Sequence, residues 1–494
     1  MKIKLHQQSK LPTRQQVNKL TNLIIILPAT SGSLIFKQVP YGELLSRRIK
    51  RQKASNPDKS LFVTDMPNQN ATHVSIGFAK NDANTFNLLG SARKLVNAHQ
   101  DMNPTELGIL VHGFDESQSE KITESVIAAI LANAAEMPAY RKKKHRKHQL
   151  KQIRIFGLKV AHGYQRTFAE AEGCAMARSL SMQPSNMLTP GIYLQRVRDL
   201  ARQYKWKLEF YDTKYLARKK AGAFLAVAQG SPESDAGIVR LSYTPRGKGI
   251  RKEKLMLVGK GICYDTGGTN LKPANYMFGM HEDMQGSAVA LGTLMALTQL
   301  EVNFPVECWM ALAMNHIGPK AYKPNDVVTA SDGTTIEIVH TDAEGRMVLA
   351  DTLAMASREK PALIIDYATL TGACIYSLGT AYSGIFTNRD ELLDTLIAAG
   401  KDSGERVWPF PMDEDYDKLL DSDIADIKQC AREGGADHIL ATRFLQRFVK
   451  HKTRWIHIDL SSSNRKGGLA HIPTDTTGFG VRYTLNLLLD KKIM

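Results

Sequence analysis

Two segments of the chain carry the side chains best suited to chemistry. The first reads Val258-Gly259-Lys260-Gly261-Ile262-Cys263-Tyr264-Asp265-Thr266-Gly267-Gly268, followed by Leu271-Lys272-Pro273 and Glu282-Asp283-Met284. The second is His340-Thr341-Asp342-Ala343-Glu344-Gly345-Arg346. Asp265, Asp283, Asp342 and Glu344 supply four carboxylates, with Lys260, Lys272 and Arg346 beside them. Carboxylates buried in that number repel one another unless cations neutralise them. Two divalent ions bridged by carboxylates would do so, and a pair roughly 3.5–4 Å apart can activate water and polarise a carbonyl together. Oxygen ligands with at most one amine suit zinc, manganese or magnesium rather than a soft copper site.

Plainer readings compete. A lone Asp-x-Glu is usually a pair of helix-start carboxylates favoured by the macrodipole. Gly-Lys-Gly after a strand hints at phosphate binding, but it matches neither GxxxxGK[ST] nor GxGxxG. Spacing alone leaves the two-metal and structural readings both open.

The elements that must position these groups follow from the apolar patterning. Near-continuous apolar runs at 255–258, 308–312, 363–365 and 455–458 read as strands buried on both faces. Lys260 is expected just past the end of the first of these, where the crevice of an α/β sheet takes its ligand. Residues 286–300 and 347–357 read as helices between them, so the sheet is largely parallel or mixed and covered on both sides. Upstream, 23–27, 61–63, 74–78 and 107–111 read as strands, and 117–135 has the apolar spacing of a helix. The fold class expected is α/β. A smaller N-terminal domain over 1–160 precedes a larger catalytic domain over 161–494, with a linking helix at about 165–182.

Charge divides the same way. The 494 residues carry a net +16. Residues 1–160 hold 25 Lys and Arg against 11 Asp and Glu, a net +14, and the other 334 hold 40 against 38, a net +2. A basic N-terminal unit suggests an anionic partner or a solvated surface. The run Arg141-Lys142-Lys143-Lys144-His145-Arg146-Lys147-His148 repels itself and is expected to be an exposed loop. No stretch reaches the roughly 18 apolar residues of a membrane span, and 23–27 is too short for a secretory core. The five cysteines are scattered, without a CxxC pair, which points away from a disulfide framework or thiolate zinc site and towards the cytoplasm.

The motifs resemble the leucyl (cytosol) aminopeptidase family, two-metal M17-type metallopeptidases. The likeness rests on Val258 through Gly268, Leu271-Lys272-Pro273, Asp283-Met284 and Thr341 through Arg346. It extends to Pro184-Ser185-Asn186, Asp366-x-Ala368-Thr369-Leu370-Thr371-Gly372-Ala373 and Gly478-Phe479-Gly480-Val481-Arg482, and covers roughly 165–490. It implies release of N-terminal amino acids, leucine and other apolar residues foremost, from short peptides through a hydroxide bridging two Mn²⁺ or Zn²⁺ ions. Asp265, Asp342 and Glu344 would hold the more exchangeable ion, and Lys260, Asp265, Asp283 and Glu344 the tighter one. Lys260 ligates only as a neutral amine, which requires a lowered pKa. The resemblance gives Lys272 the role of polarising the scissile carbonyl, and Arg346 that of holding a bicarbonate that relays a proton. Met280, Thr369, Leu370 and Gly372 fall where the family lines the pocket for the first side chain. A homohexamer is also implied.

Departures from the family pattern spare the ligands. Tyr264, Thr266 and His340 replace the usual Phe, Ser and Asn, and Glu282-Asp283-Met284-Gln285-Gly286-Ser287 has bulkier, more polar neighbours than the usual small residues. Met314-Asn315-His316 replaces Glu-Asn-Met, and Ser461-Ser462-Ser463 replaces a small apolar turn after Asp459. The alternative reading is an aminopeptidase scaffold with an added DNA-binding regulatory role through the basic N-terminal domain. No helix-turn-helix, zinc-finger or RNP pattern is there to carry specificity. A third reading is a catalytically silent structural member.

Overall fold

The computed structural model describes residues 3–30, 33–56, 60–142, 148–432 and 435–494. Five residues of the basic run, 143–147, lie outside the described residues, and so does the loop expected there. The chain divides into two units, one of Met1–Ala171 with Gly467–Thr474, the other of Glu172–Lys466 with Asp475–Met494. The division falls within the helix Gln165–Ser181.

The first unit is built on six strands, β1 (Lys4–Gln8), β2 (Asn22–Pro28), β3 (Leu61–Asp65), β4 (His73–Ala79), β5 (Glu106–Val111) and β6 (Gln152–Phe156), in the order β1-β6-β5-β2-β4-β3. All neighbours are parallel except β3 against β4. Successive side chains of a strand point to opposite faces, and β2 serves both. Ile24 and Ile26 pack into one core with helices Thr85–Asn97 and Glu116–Ala134, and Leu23, Ile25 and Leu27 into another. Both helices start on a side-chain cap. Asn84 Oδ1 accepts from Asn87 N at 2.9 Å and Asp115 Oδ1 from Gln118 N at 2.8 Å, satisfying amides that a helix start leaves free.

The second unit continues with β7 (Lys207–Asp212), β8 (Gly237–Tyr243), β9 (Leu255–Asp265), β10 (Val306–Asn315), β11 (Val327–Thr329), β12 (Thr335–Glu337), β13 (Leu363–Ala368), β14 (Ser383–Thr387), β15 (Val407–Pro409), β16 (Ile427–Lys428) and β17 (Arg454–Asp459). Eight of these form the main sheet in the order β15-β14-β17-β13-β9-β10-β8-β7, and β11-β12-β16 make a small separate sheet. The centre, β17-β13-β9-β10, is parallel, and antiparallel strands flank it at β14 and β8. This is the α/β, mixed and mostly parallel sheet expected from the apolar runs.

One expectation needs correcting. β9 does not stop at Val258 but runs on to Asp265, so Lys260 lies inside a strand. Neighbours on both sides, β10 and β13, keep the ladder going. Gly259 and Gly261 serve close packing within the strand. A Cβ on Gly259 would sit 2.4 Å from the Ser287 Cα, so only glycine lets the helix Gln285–Gln299 press against the strand. That helix covers the odd-numbered face of β9. Lys260 points to the other face, against the helix Glu344–Ser357. All five cysteines are buried and none is disulfide-bonded. Among the described residues no helix is long and apolar enough to cross a membrane.

Candidate metal centre and active site

The carboxyl-end edge of β9, β10 and β13 gathers the predicted residues. Lys260 is 3% exposed, and its Nζ lies 2.8 Å from Asp283 Oδ1, 2.8 Å from Glu344 Oε1 and 3.0 Å from the Thr369 carbonyl. Gly345 makes that burial possible, because a Cβ there would meet Lys260 Cε at 2.7 Å. Lys272 reaches back from the loop after β9, with Nζ 2.9 Å from Asp265 Oδ2 and 2.5 Å from Asp342 Oδ1. Single carboxylate oxygens of Asp265, Asp342 and Glu344 all lie within 4.8 Å of one another.

Further contacts fix the carboxylates. Asp265 Oδ1 accepts from the Gly267 amide at 2.8 Å and from Asn315 Nδ2 at 2.7 Å. Asn315 Nδ2 also donates to the Thr341 carbonyl at 3.0 Å, tying the first motif to the second. Asp283 Oδ1 accepts from Thr369 Oγ1 at 2.6 Å. Thr369 is thus joined to a candidate ligand. Met280 opens the turn that runs into Asp283, Leu370 gives its amide to Asp459 Oδ1 at 3.0 Å, and Gly372 begins the helix Gly372–Leu378.

Electrostatics favour a cation here. Burial, reinforced by repulsion from Glu344, raises the Asp265 carboxyl above its ordinary range, and burial likewise raises Asp283 and Asp342. Burial works against the charge on Lys260 and Lys272, yet the surrounding carboxylates hold both ammonium groups above the usual lysine range. The four acids and two lysines leave two negative charges uncompensated. Asp283 Oδ2 and Glu344 Oε2 are buried without a hydrogen-bond donor. An orphaned carboxylate oxygen costs free energy, and a divalent ion is a natural partner for it. The donor set therefore fits divalent metal.

Arg346 is 2% exposed in the first turn of the helix Glu344–Ser357. Its Nη2 lies 2.8 Å from both oxygens of Asp437 and its Nη1 donates to the Gln429 carbonyl at 3.3 Å, leaving a buried Nε unpartnered. Asp437, Asn315 and Asp459 were not among the site residues expected from the sequence, for each acts through a neighbour far away in the chain. The departing segment at Glu282 is held from the stretch after the serine turn. Asn464 Nδ2 donates to Glu282 Oε2 at 2.6 Å, and Thr476 Oγ1 donates to Glu282 Oε1 at 3.0 Å.

Known proteins resemble this chain. Residues 175–485 match the cytosol aminopeptidase family, catalytic domain. A probable cytosol aminopeptidase of Wolbachia pipientis wMel is 42% identical over 326 residues, 65% of this chain and 64% of that protein. A mutant of tomato leucine aminopeptidase superposes with a TM-score of 0.86 at 25% identity, covering 99% of this chain and 97% of that one. The bottromycin maturation enzyme BotP, solved in complex with Mn, gives a TM-score of 0.80 at 28% identity, over 95% of this chain and 99% of the other. With the family match spanning more than half of its length, the chain belongs to the cytosol aminopeptidase family and is a metallopeptidase of the leucyl aminopeptidase type.

Proposed function

We propose that this protein removes the N-terminal residue from short peptides, preferring leucine and other apolar residues, with two divalent metal ions, Mn²⁺ or Zn²⁺, in each subunit. The carrying observation is that four carboxylates and a buried lysine converge on one place, with Asp283 Oδ2 and Glu344 Oε2 left without donors. Asp265, Asp342 and Glu344 would hold one ion, and Lys260, Asp265, Asp283 and Glu344 the other. The likeness to a protein solved with Mn supports a divalent metal in this chain. Bound metal would polarise the scissile carbonyl and make a water molecule more acidic.

The chain's own residues do the rest. Lys260 would offer a lone pair only after giving up its proton. Lys272, bound to Asp265 and Asp342, would stabilise negative charge growing on the substrate carbonyl oxygen, worth a few kcal/mol. Arg346 keeps its Nε edge for an anion such as bicarbonate, which would pass a proton towards the leaving amine. Met280, Thr369, Leu370 and Gly372 would line the pocket for the first side chain. Family likeness supports a cytoplasmic homohexamer.

Mass spectrometry of peptide digests tests the reading. Leu-Ala-Phe should lose leucine, while the N-acetylated peptide, lacking a free amine, should remain intact. Cleavage of both peptides at equal rates would contradict an exopeptidase.

A further inference from the structure

After β13 the chain turns through Thr369, Leu370 and Thr371 before the helix Gly372–Leu378. This turn is held from two sides. On the site side, its Thr369 carbonyl accepts from Lys260 Nζ at 3.0 Å, and Thr369 Oγ1 donates to Asp283 Oδ1 at 2.6 Å. On the far side stands Asp459, the last residue of β17, in register with Ala368. Asp459 Oδ1 accepts from the Leu370 amide at 3.0 Å and the Thr371 amide at 3.4 Å, and Oδ2 accepts from Thr371 Oγ1 at 2.6 Å. The carboxylate is 2% exposed.

A buried carboxylate carries a desolvation cost of several kcal/mol, and a neutral side chain would suffice merely to close a turn. What the charge adds is strength, since hydrogen bonds to an ionised acceptor are about twice as strong as neutral ones. Burial pushes the Asp459 carboxyl above its ordinary range, while His457 and the hydrogen bonds from Thr371 and Leu370 pull the other way. His457, two residues earlier on the same face of β17, pairs with Asp366 Oδ1 at 2.6 Å, and Trp455 Nε1 donates to Asp366 Oδ2 at 2.5 Å. The rigidity is delivered to a chemically sensitive place. A lysine that ligates through its lone pair retains two N–H bonds, and a fixed carbonyl accepting one of them sets the direction of the lone pair. The same turn fixes one oxygen of Asp283 and so aims the other.

We infer that Asp459 is a positioning residue, which through Leu370 and Thr371 fixes the Thr369 carbonyl and hydroxyl that aim Lys260 and Asp283 at a divalent ion. The inference rests on the two-metal reading proposed above. Outer partners of metal ligands typically contribute about 10- to 100-fold in affinity.

The test is calorimetric titration of the full chain, stripped of metal, with Mn²⁺ alone, alongside leucine-p-nitroanilide kinetics. Asp459→Asn keeps the shape and removes the charge. Thr371→Val removes only the hydroxyl arm and guards against a misfolded Asp459 variant. Both should weaken Mn²⁺ binding in folded protein, about tenfold or more for Asp459→Asn. Their turnover should fall at limiting Mn²⁺ and recover towards wild type at saturating Mn²⁺. A merely structural role would lower the melting temperature and leave the Mn²⁺ affinity of the folded protein unchanged, which overturns the inference. If the wild type itself binds no Mn²⁺, the metal reading falls and the inference with it. If the wild type binds and the variants bind equally well, the inference alone is overturned.

Discussion

Lys260 Nζ lies 2.8 Å from Glu344 Oε1, and the approach depends on the residue that follows Glu344 being glycine. A methyl group at 345 would fall 2.7 Å from Lys260 Cε and 2.8 Å from its Nζ. The lysine tail can swing aside, so Gly345→Ala should fold. It should also displace the amine from its place between Asp283 and Glu344. A misplacement on the order of 1 Å costs about 10²-fold in rate. Circular dichroism should be unchanged while leucine-p-nitroanilide turnover falls by about that factor. Wild-type activity in this variant would remove Lys260 from the metal site.

Lys272 should act mainly in the transition state. Its ammonium is held by Asp265 and Asp342, at 2.9 Å and 2.5 Å, in front of the acids that would bind metal. Lys272→Ala should lower kcat by about 10²–10³-fold with little change in KM, the pattern for a group that stabilises developing charge. A change confined to KM would instead make Lys272 a ground-state binding group.

The union of Glu282 with Asn464 and Thr476 braces the turn that begins at Met280. Glu282→Ala removes the acceptor for both donors and loosens that turn. KM for leucyl substrates should rise about tenfold, equivalent to about 1.4 kcal/mol, with kcat within about twofold. Steady-state kinetics across leucyl, alanyl and lysyl p-nitroanilides would check it. An equal fall in kcat for all three would place Glu282 with the ligands rather than with the pocket.

The N-terminal unit should show its own pH signature. His99 Nδ1 lies 2.8 Å from Asn22 Oδ1 and Nε2 2.9 Å from Ser75 Oγ. Burial, with a smaller push from His73, lowers its pKa from 6.5 to about 3. In the unfolded chain His99 takes up a proton near pH 6.5, whereas the folded unit resists protonation until about pH 3. The stability it contributes is therefore complete above pH 6.5 and is lost as pH falls through that window, by about 1.4 kcal/mol per pH unit. His99→Gln should be less stable at pH 7, with the gap from wild type narrowing between pH 6.5 and 4.5 in urea denaturation. A gap that stays constant would show that His99 does not titrate on unfolding.

The central sheet and the proposed ligands were readable in the sequence because both are written locally. Apolar runs marked β9, β10, β13 and β17, and Lys260, Asp265, Asp342 and Glu344 stand at short spacings beside them. The end of β9 was misplaced because the apolar run breaks at Gly259-Lys260-Gly261, whereas Gly259 makes room for the helix Gln285–Gln299 and Gly261 for β10. Asn315, Asp437 and Asp459 could not be assigned from spacing. Asp459 meets the 369–371 turn only because β17 pairs with β13 in the register that sets it opposite Ala368. Asn315 reaches Asp265 because β10 lies beside β9 with the two residues paired across the strands. Such partners are fixed by sheet order and register, which no local pattern states. Glu282 and the serine turn did stand out as departures, but only the fold joins Asn464 to Glu282.

Hydrolysis of leucine-p-nitroanilide by metal-stripped protein, before and after Mn²⁺ or Zn²⁺ is returned, tests the two-metal aminopeptidase most directly. The stripped protein should be inactive and regain activity as about two equivalents per subunit bind, while Asp342→Ala stays inactive at the same metal concentration. A stripped protein that keeps full activity, or a wild type that neither metal restores, would contradict it.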